Sequence, residues 1–318
     1  MTDGRAGGSR VRTVFLGSGG FGRESLRRLD DHDAVRLVGV VTAPPRPAGR
    51  RQLLTTSAID AVAQGLGVTP ILRPERLRSP ESIAAILELE PELVVLADYG
   101  QIVPAALLGL RYGALNLHPS LLPRHRGATP IPATILAGDA ETGVTLMRMD
   151  AGLDSGPIVA RERVPLEGTE TTPELEAMLE RVAAALLDRR LAAWLGGELP
   201  ARPQAVTGVT LTRQLRREDG RLDPRRAALD LERQIRAYQP WPGSFVDTTI
   251  GRIAIWSAGA ESTGGPAAGI FDAGGLGVDD GGRLRLVEVQ PAGGTRMSWD
   301  AFVHGRPGIV GGMVVPGP

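Results

Sequence analysis

The chain contains no cysteine and no lysine. Without cysteine there can be no disulfide, no thiolate metal ligand and no thiol nucleophile, and the cytoplasm is the expected compartment. Without lysine, every basic side chain is a guanidinium, which keeps its charge when buried and meets phosphate with a two-pronged fork. The 36 basic residues are matched by 36 acidic ones, so the formal net charge is zero. A neutral chain has no general attraction for a polyanion, and any nucleic acid must be held by a local patch. Long apolar runs are missing too: none approaches the ~18 residues of a membrane span. Residues 1–10 lack the basic-then-apolar order of a secretory signal and are expected to be a flexible N-terminus. The four histidines, His32, His118, His125 and His304, lack ligand spacing with one another, so no metal is implied.

What is present is glycine (42) and proline (25), with the glycines concentrated in the last third. A length of 318 residues suggests two domains. The first 195 or so residues alternate short apolar runs with helical spacing: strands at 11–16, 35–41, 68–72, 93–96 and from Leu115, and helices at 23–29, 56–65 and 80–89. Such alternation predicts βαβ units and a doubly wound, mostly parallel Rossmann-like sheet. Gly17-Ser18-Gly19-Gly20-Phe21-Gly22 satisfies the G-x-G-x-x-G turn of dinucleotide-binding sheets. The second strand, however, exits into Thr42-Ala43-Pro44-Pro45, with no acid to hold a ribose hydroxyl, so the turn is read as structural. A helix at 131–137 is expected beneath the site described next, and 172–194 carries apolar residues at helical spacing.

Asn116 and His118 stand two apart at a strand end, and in a strand residues i and i+2 share a face. A further strand at 144–149 exits toward Asp154 in a glycine-bracketed loop. A lone histidine at a strand end is ordinarily a structural residue. An amide, a ring and an acid together are a set for polarising a carbonyl and moving a proton. Beyond a glycine- and proline-containing stretch at 196–208, taken as a linker, the pattern changes. One amphipathic helix is expected at 223–238, followed by short β runs at 244–249, 252–256 and 283–289. These predict a small β-barrel, giving domains of 11–195 and 209–318.

Asn116-Leu117-His118-Pro119-Ser120-Leu121-Leu122-Pro123 with Arg126-Gly127, Gly138-Asp139-x-x-Thr142-Gly143-Val144-Thr145 and Met149-Asp150-x-Gly152-Leu153-Asp154-x-Gly156 resembles the folate-dependent formyltransferases. Ile235-Arg236-Ala237-Tyr238-x-Pro240-Trp241-Pro242-Gly243 and Leu286-x-Glu288-Val289-Gln290-Pro291 are similar to the OB-like C-terminal domain of the members that act on methionyl-tRNA. The resemblance spans nearly the whole chain, apart from the first ten residues and a glycine-rich insert near 264–282.

It implies a cytoplasmic, monomeric enzyme that moves a formyl group from 10-formyltetrahydrofolate to methionyl-tRNA at the start of protein synthesis, without a metal. Asn116, His118 and Asp154 would be catalytic. Asn116 would donate to the tetrahedral oxyanion through its amide, and His118 through a protonated ring. Asp154 would take a proton from the attacking amine or orient His118, and the sequence leaves both open. Ser120, Leu121, Leu122 and Pro123, with Asp98, Tyr99 and Gly100, would face the folate. Arg46, Arg50 and Arg51, and Arg225, Arg226, Arg233 and Arg236, would meet tRNA phosphates if the two groups line one groove. Two other functions compete with this one. An enzyme acting on an amino sugar would not be expected to carry the C-terminal blocks, and a formyl-folate hydrolase would commonly carry a small regulatory domain before the sheet, which here starts at about Val11. A non-catalytic dinucleotide-binding module would not need Asn116, His118 and Asp154 together.

Overall fold

The computed structural model describes residues 10–48 and 53–315. The expected flexible N-terminus therefore lies outside the described residues, apart from Arg10. The chain divides into two units that interleave in sequence. The first takes the described residues up to Ala128, with Glu141–Val164 and Glu176–Thr212; the second takes Thr129–Ala140, Pro165–Leu175 and the described residues from Arg213 on.

In the first unit β1 (Val11–Leu16), α1 (Arg23–Asp31) and β2 (Val35–Val41) come first, then a hairpin of β3 (Arg46–Ala48) and β4 (Leu53–Thr55). α2 (Ala58–Gly65), β5 (Ile71–Leu72), α3 (Pro80–Leu87), β6 (Leu93–Ala97), α4 (Ala105–Leu108), β7 (Ala114–His118) and β8 (Arg126–Gly127) follow. The helix starts obey local chemistry: the Ser57 hydroxyl accepts from the Asp60 N–H at 2.9 Å, and Ser79 accepts from Ser82 ahead of α3, with Pro80 in its first turn. α5 (Pro130–Ala137) leads to β9 (Glu141–Arg148), β10 (Ile158–Pro165), α6 (Thr172–Leu195) and β11 (Leu211–Thr212).

Seven strands form one sheet in the order β10-β9-β7-β6-β1-β2-β5. β5, β2, β1, β6 and β7 are parallel, whereas β9 runs antiparallel to β7. All five residues of β6 are buried, as a parallel strand covered on both faces requires. The chain leaves β1 toward β2 and returns on its other side through β6, which creates a switch point at the carboxyl ends of β1 and β6.

α5 differs from expectation. It belongs to the second unit, where it packs on α7 (Ala228–Ala237). Its left-handed cap Gly138 (φ 63°) is bare enough for the Arg233 guanidinium to lie over it. α7 is itself shorter than the expected helix: its cap residue Ala227 makes no side-chain hydrogen bond, and Arg225 and Arg226 precede it in a turn.

β12 (Ser244–Thr248), β13 (Gly251–Glu261), β14 (Phe271–Asp272), β15 (Gly275–Gly277), β16 (Arg283–Pro291) and β17 (Met297–Ser298) form an antiparallel sheet completed by α8 (Trp299–Gly305). The glycine-rich insert is part of that sheet, since Phe271 and Leu276 of β14 and β15 sit in its core beside Trp299 and Phe302.

Candidate active site

β7 reads Ala-Leu-Asn-Leu-His, with every residue buried. Burying Leu115 and Leu117 contributes roughly 1.5–3 kcal/mol each, which fixes the register and carries Asn116 and His118 out of water on the opposite face. Neighbouring strands align Asn116 with Leu96 of β6 and Met147 of β9, and His118 with Thr145. Polar groups this buried need partners. The His118 Nε2–H donates to the His125 carbonyl at 2.9 Å, leaving Nδ1 3.7 Å from Asp154 Oδ2. The Asn116 amide reaches Asp154 Oδ1 at 3.5 Å, a long bond that is readily exchanged for a better acceptor. Asp154 Oδ2 is held by the Gly127 N–H at 2.8 Å. The three expected catalytic residues therefore meet at one point.

The surroundings of His118 work against the expected protonated ring. Burial pushes the ring below its ordinary value of 6.5; Asp154 and the His125 carbonyl oppose that shift without reversing it. The resting ring is neutral, with its proton on Nε2 and a lone pair on Nδ1. It is a proton acceptor first, and a donor only after it has taken one.

The turn after β7 carries much of this order. Ser120 is fully buried: its hydroxyl donates to the Arg124 carbonyl at 2.6 Å, and its carbonyl accepts from Thr145 Oγ1 at 2.7 Å. The Leu122 N–H donates to the same Thr145 oxygen at 3.1 Å, and Leu122 is a core side chain rather than an open wall. Leu121 and Pro123 remain half-buried. Tyr99 also packs on the sheet core, and burial pushes its phenol up to about 12. Gly100 is exposed.

Asp98 is reached by solvent yet crowded by protein, as at the floor of a cleft, and the resulting desolvation raises its carboxyl. Desolvation, followed by Asp98 itself, raises Glu176 as well. The Asp98 carbonyl accepts from the Ser18 and Gly19 N–H groups at 2.9 and 3.4 Å, while the Gly17 N–H is taken by Val41. A β-carbon on Gly19 would stand 1.5 Å from Asp98 Oδ2. The glycine turn thus commits its first three N–H groups to neighbouring backbone and faces the Asp98 carboxyl, a poor neighbour for a diphosphate.

Gly127 and Thr145 fall inside the motif blocks quoted above without a role attached to them, whereas the His125 carbonyl and Gln204 belong to no pattern that spacing could reveal. The stretch expected as a linker is anchored: Arg202 exchanges two hydrogen bonds with Ile158, and the Gln204 amide donates to the Asp154 and Gly156 carbonyls at 2.7 and 2.8 Å. Among the expected tRNA-facing arginines, Arg46 is exposed on the β3–β4 hairpin, and Arg50 and Arg51 lie outside the described residues. Arg225 pairs with Asp223 at 2.7 Å, and Arg226 bonds Gln234 at 2.7 Å. Arg236 pairs with Glu232 and donates to the Glu170 carbonyl, while Arg233 covers Gly138.

An amide donor, an imidazole and a carboxylate are thus gathered at the end of β7. Comparisons with known proteins give the arrangement a name. The family model described as formyl transferase matches residues 11–191, and that of the formyl transferase C-terminal domain matches residues 214–307. The chain is 41% identical over 304 residues to the methionyl-tRNA formyltransferase of Chloroflexus aggregans, spanning 92% of this chain and 98% of that one. It is 40% identical over 311 residues to the same enzyme of Gluconacetobacter diazotrophicus, spanning 95% and 98%. In fold it resembles an N-formyltransferase of Helicobacter canadensis solved in complex with folinic acid and dTDP-3-aminofucose (TM-score 0.62, 16% identity, covering 87% of this chain and 98% of that one). The chain belongs to the formyl transferase family, within its methionyl-tRNA formyltransferase branch.

Proposed function

We propose that this chain transfers the formyl group of 10-formyltetrahydrofolate to the amino group of methionyl-tRNA, with Asn116, His118 and Asp154 as its catalytic residues. The observation that carries the reading is the meeting of these three side chains at the end of β7, with the ring held neutral by burial.

The attacking ammonium first gives up a proton to Asp154, which passes it to solvent and is again a carboxylate. The free amine then attacks the formyl carbon, and the carbonyl electron pair moves onto oxygen. Asn116 exchanges its long bond to Asp154 for this oxyanion, a donor worth about 3–4 kcal/mol in such sites. His118 Nδ1 takes one of the two protons then left on the attacking nitrogen, the other staying as the formamide N–H, and the charged ring is steadied by the Asp154 carboxylate. Collapse of the intermediate breaks the carbon–N10 bond, and the ring returns its proton to N10. The ring's orientation comes from the His125 carbonyl, which leaves Asp154 free for the proton work.

The folate's pterin would lie in the switch-point cleft beside Asp98 and Gly100, the position that open α/β sheets reserve for ligands. Desolvation favours the protonated form of this carboxyl, a form that would donate as well as accept to a ring of mixed polarity. Leu121 and Pro123 remain candidates for its apolar wall.

In this reading residues 11–195 carry the chemistry and 209–318 form a second, tRNA-facing domain. Arg46, with Arg50 and Arg51, is the stronger candidate for phosphate contact, because the α7 arginine Arg236 is engaged with Glu232 and Glu170. The enzyme would act as a cytoplasmic monomer; among the described residues no helix is long and apolar enough to cross a membrane.

The test is formyl transfer by the purified chain from 10-formyltetrahydrofolate to methionyl-tRNA, with nucleotide-linked amino sugars in parallel. Transfer to methionyl-tRNA alone is expected; transfer to the sugars alone would overturn the substrate assignment.

A further inference from the structure

The stretch expected as a linker, together with the residues just after it, holds the Asp154 loop and the backbone of His125, whose carbonyl meets the His118 ring. Asp154 sits at φ 48° and His125 at φ 56°, left-handed conformations that cost non-glycine residues about 1–3 kcal/mol and persist only where the surroundings over-determine them. In each case residues of the 202–212 stretch are among the partners that hold the backbone. Gln204 donates both amide hydrogens into the Asp154 loop, to the Asp154 carbonyl at 2.7 Å and the Gly156 carbonyl at 2.8 Å. Its own oxygen accepts from Arg126 Nε and Nη2 at 3.1 and 2.7 Å, which satisfies the whole amide. Six residues on, Thr210 Oγ1 accepts from the His125 N–H at 2.7 Å, and the Thr210 carbonyl accepts from the Arg126 N–H at 2.9 Å. β11 then runs parallel to β8, the strand whose Gly127 N–H grips Asp154. The His125 carbonyl in turn fixes His118 Nε2.

We propose that Gln204 and Thr210 are positioning residues for formyl transfer: Gln204 sets the Asp154 loop, and Thr210 sets the His125 carbonyl that orients the His118 ring. This rests on the catalytic reading of Asn116, His118 and Asp154 given above. Neither residue touches the reacting atoms through the contacts described. Their effect is geometric, and it is large because misplacing a reacting group by about 1 Å can cost on the order of a hundredfold in rate. Gln204 and Arg126 also line an open cleft of about 490 Å³ with Asp150, Ser155, Val206 and Val209. Weaker substrate binding in that cleft is a competing explanation that the test must separate.

The experiment compares full-length wild type with Gln204→Glu, Thr210→Val and Thr210→Ser, using 10-formyltetrahydrofolate and methionyl-tRNA. Gln204→Glu keeps the shape and the Arg126 partner but turns both donors into an oxygen facing two carbonyls. Thr210→Val keeps the shape and removes the acceptor. Both are expected to lower kcat by roughly tenfold to a hundredfold, to leave the KM for folate within about twofold, and to move the acid limb of the kcat–pH profile. Thr210→Ser, which keeps the hydroxyl, should restore kcat to within about twofold of wild type.

Unchanged kcat and an unchanged acid limb in folded Gln204→Glu and Thr210→Val would overturn the proposal and leave the stretch a structural tether. A change confined to the tRNA KM would overturn it in favour of a substrate-binding role in the cleft. If Gln204→Glu fails to fold, Thr210→Val and an NMR titration of its His118 ring decide, an unshifted ring counting against the proposal. Full activity in Asn116→Ala and His118→Ala would instead sink the catalytic reading itself.

Discussion

Two turns at the carboxyl ends of one sheet, separated only by β6, invite the same interpretation and behave differently. The turn after β1 matches a well-known ligand-binding spacing, yet its Gly17, Ser18 and Gly19 N–H groups are bonded to Val41 and Asp98 carbonyls. The end of β7 matches no such spacing. It nevertheless holds an amide on a 3.5 Å bond and a ring nitrogen 3.7 Å from a carboxylate, both short of ideal hydrogen bonding. Hydrogen-bonding capacity left unspent in a buried place marks the site better than glycine spacing does.

The largest test of that contrast is at β7. Asn116→Ala and His118→Ala are each expected to lower turnover by about two to three orders of magnitude with folate affinity unchanged. Steady-state kinetics with near-normal kcat in both would remove them from the mechanism.

A smaller but sizeable effect is expected at Gly127, whose N–H holds Asp154. Its φ is 108°, and an added β-carbon would stand 2.3 Å from the Thr212 carbonyl. Gly127→Ala should cost at least about 1–3 kcal/mol of stability and lower kcat as β8 and β11 part. A thermal midpoint equal to wild type would show that the β8–β11 pairing yields without loss.

Arg46→Ala should raise the KM for methionyl-tRNA and reduce its log–log salt slope by about one unit for each phosphate no longer bound. Kinetics at several salt concentrations would show an unchanged slope if the hairpin does not meet phosphate. The smallest effect is a null one: calorimetry with NADH or NADPH should detect no saturable binding, whereas micromolar binding would restore the glycine turn as a ligand site.

Much of the fold and part of the site are legible in the sequence, for physical reasons. Fully apolar β6, the serine caps of α2 and α3 and the i, i+2 pairing of Asn116 with His118 are local signals that tertiary packing does not override. The end of α7 is legible, but its start is not, since Arg225 and Arg226 have helical propensity yet lie before it, paired with Asp223 and with Gln234. Gln204 is illegible because one amide among glycine, proline and polar residues carries no period. Its importance comes from the two carbonyls it meets 48 and 50 residues earlier. The charge state of His118 escapes the sequence for a similar reason, because a ring's desolvation depends on what folds over it.

That charge state can be read directly by nitrogen-15 NMR of labelled histidine in the wild-type chain. Because burial lowers the folded ring's pKa below 6.5, the unfolded chain binds the extra proton as pH falls through that window, and stability falls with it. At pH 7 the His118 ring should be neutral, with its proton on Nε2, titrating below 6.5 alongside the acid limb of kcat. A ring charged at pH 7, or a neutral ring protonated on Nδ1, would contradict its role as the proton acceptor.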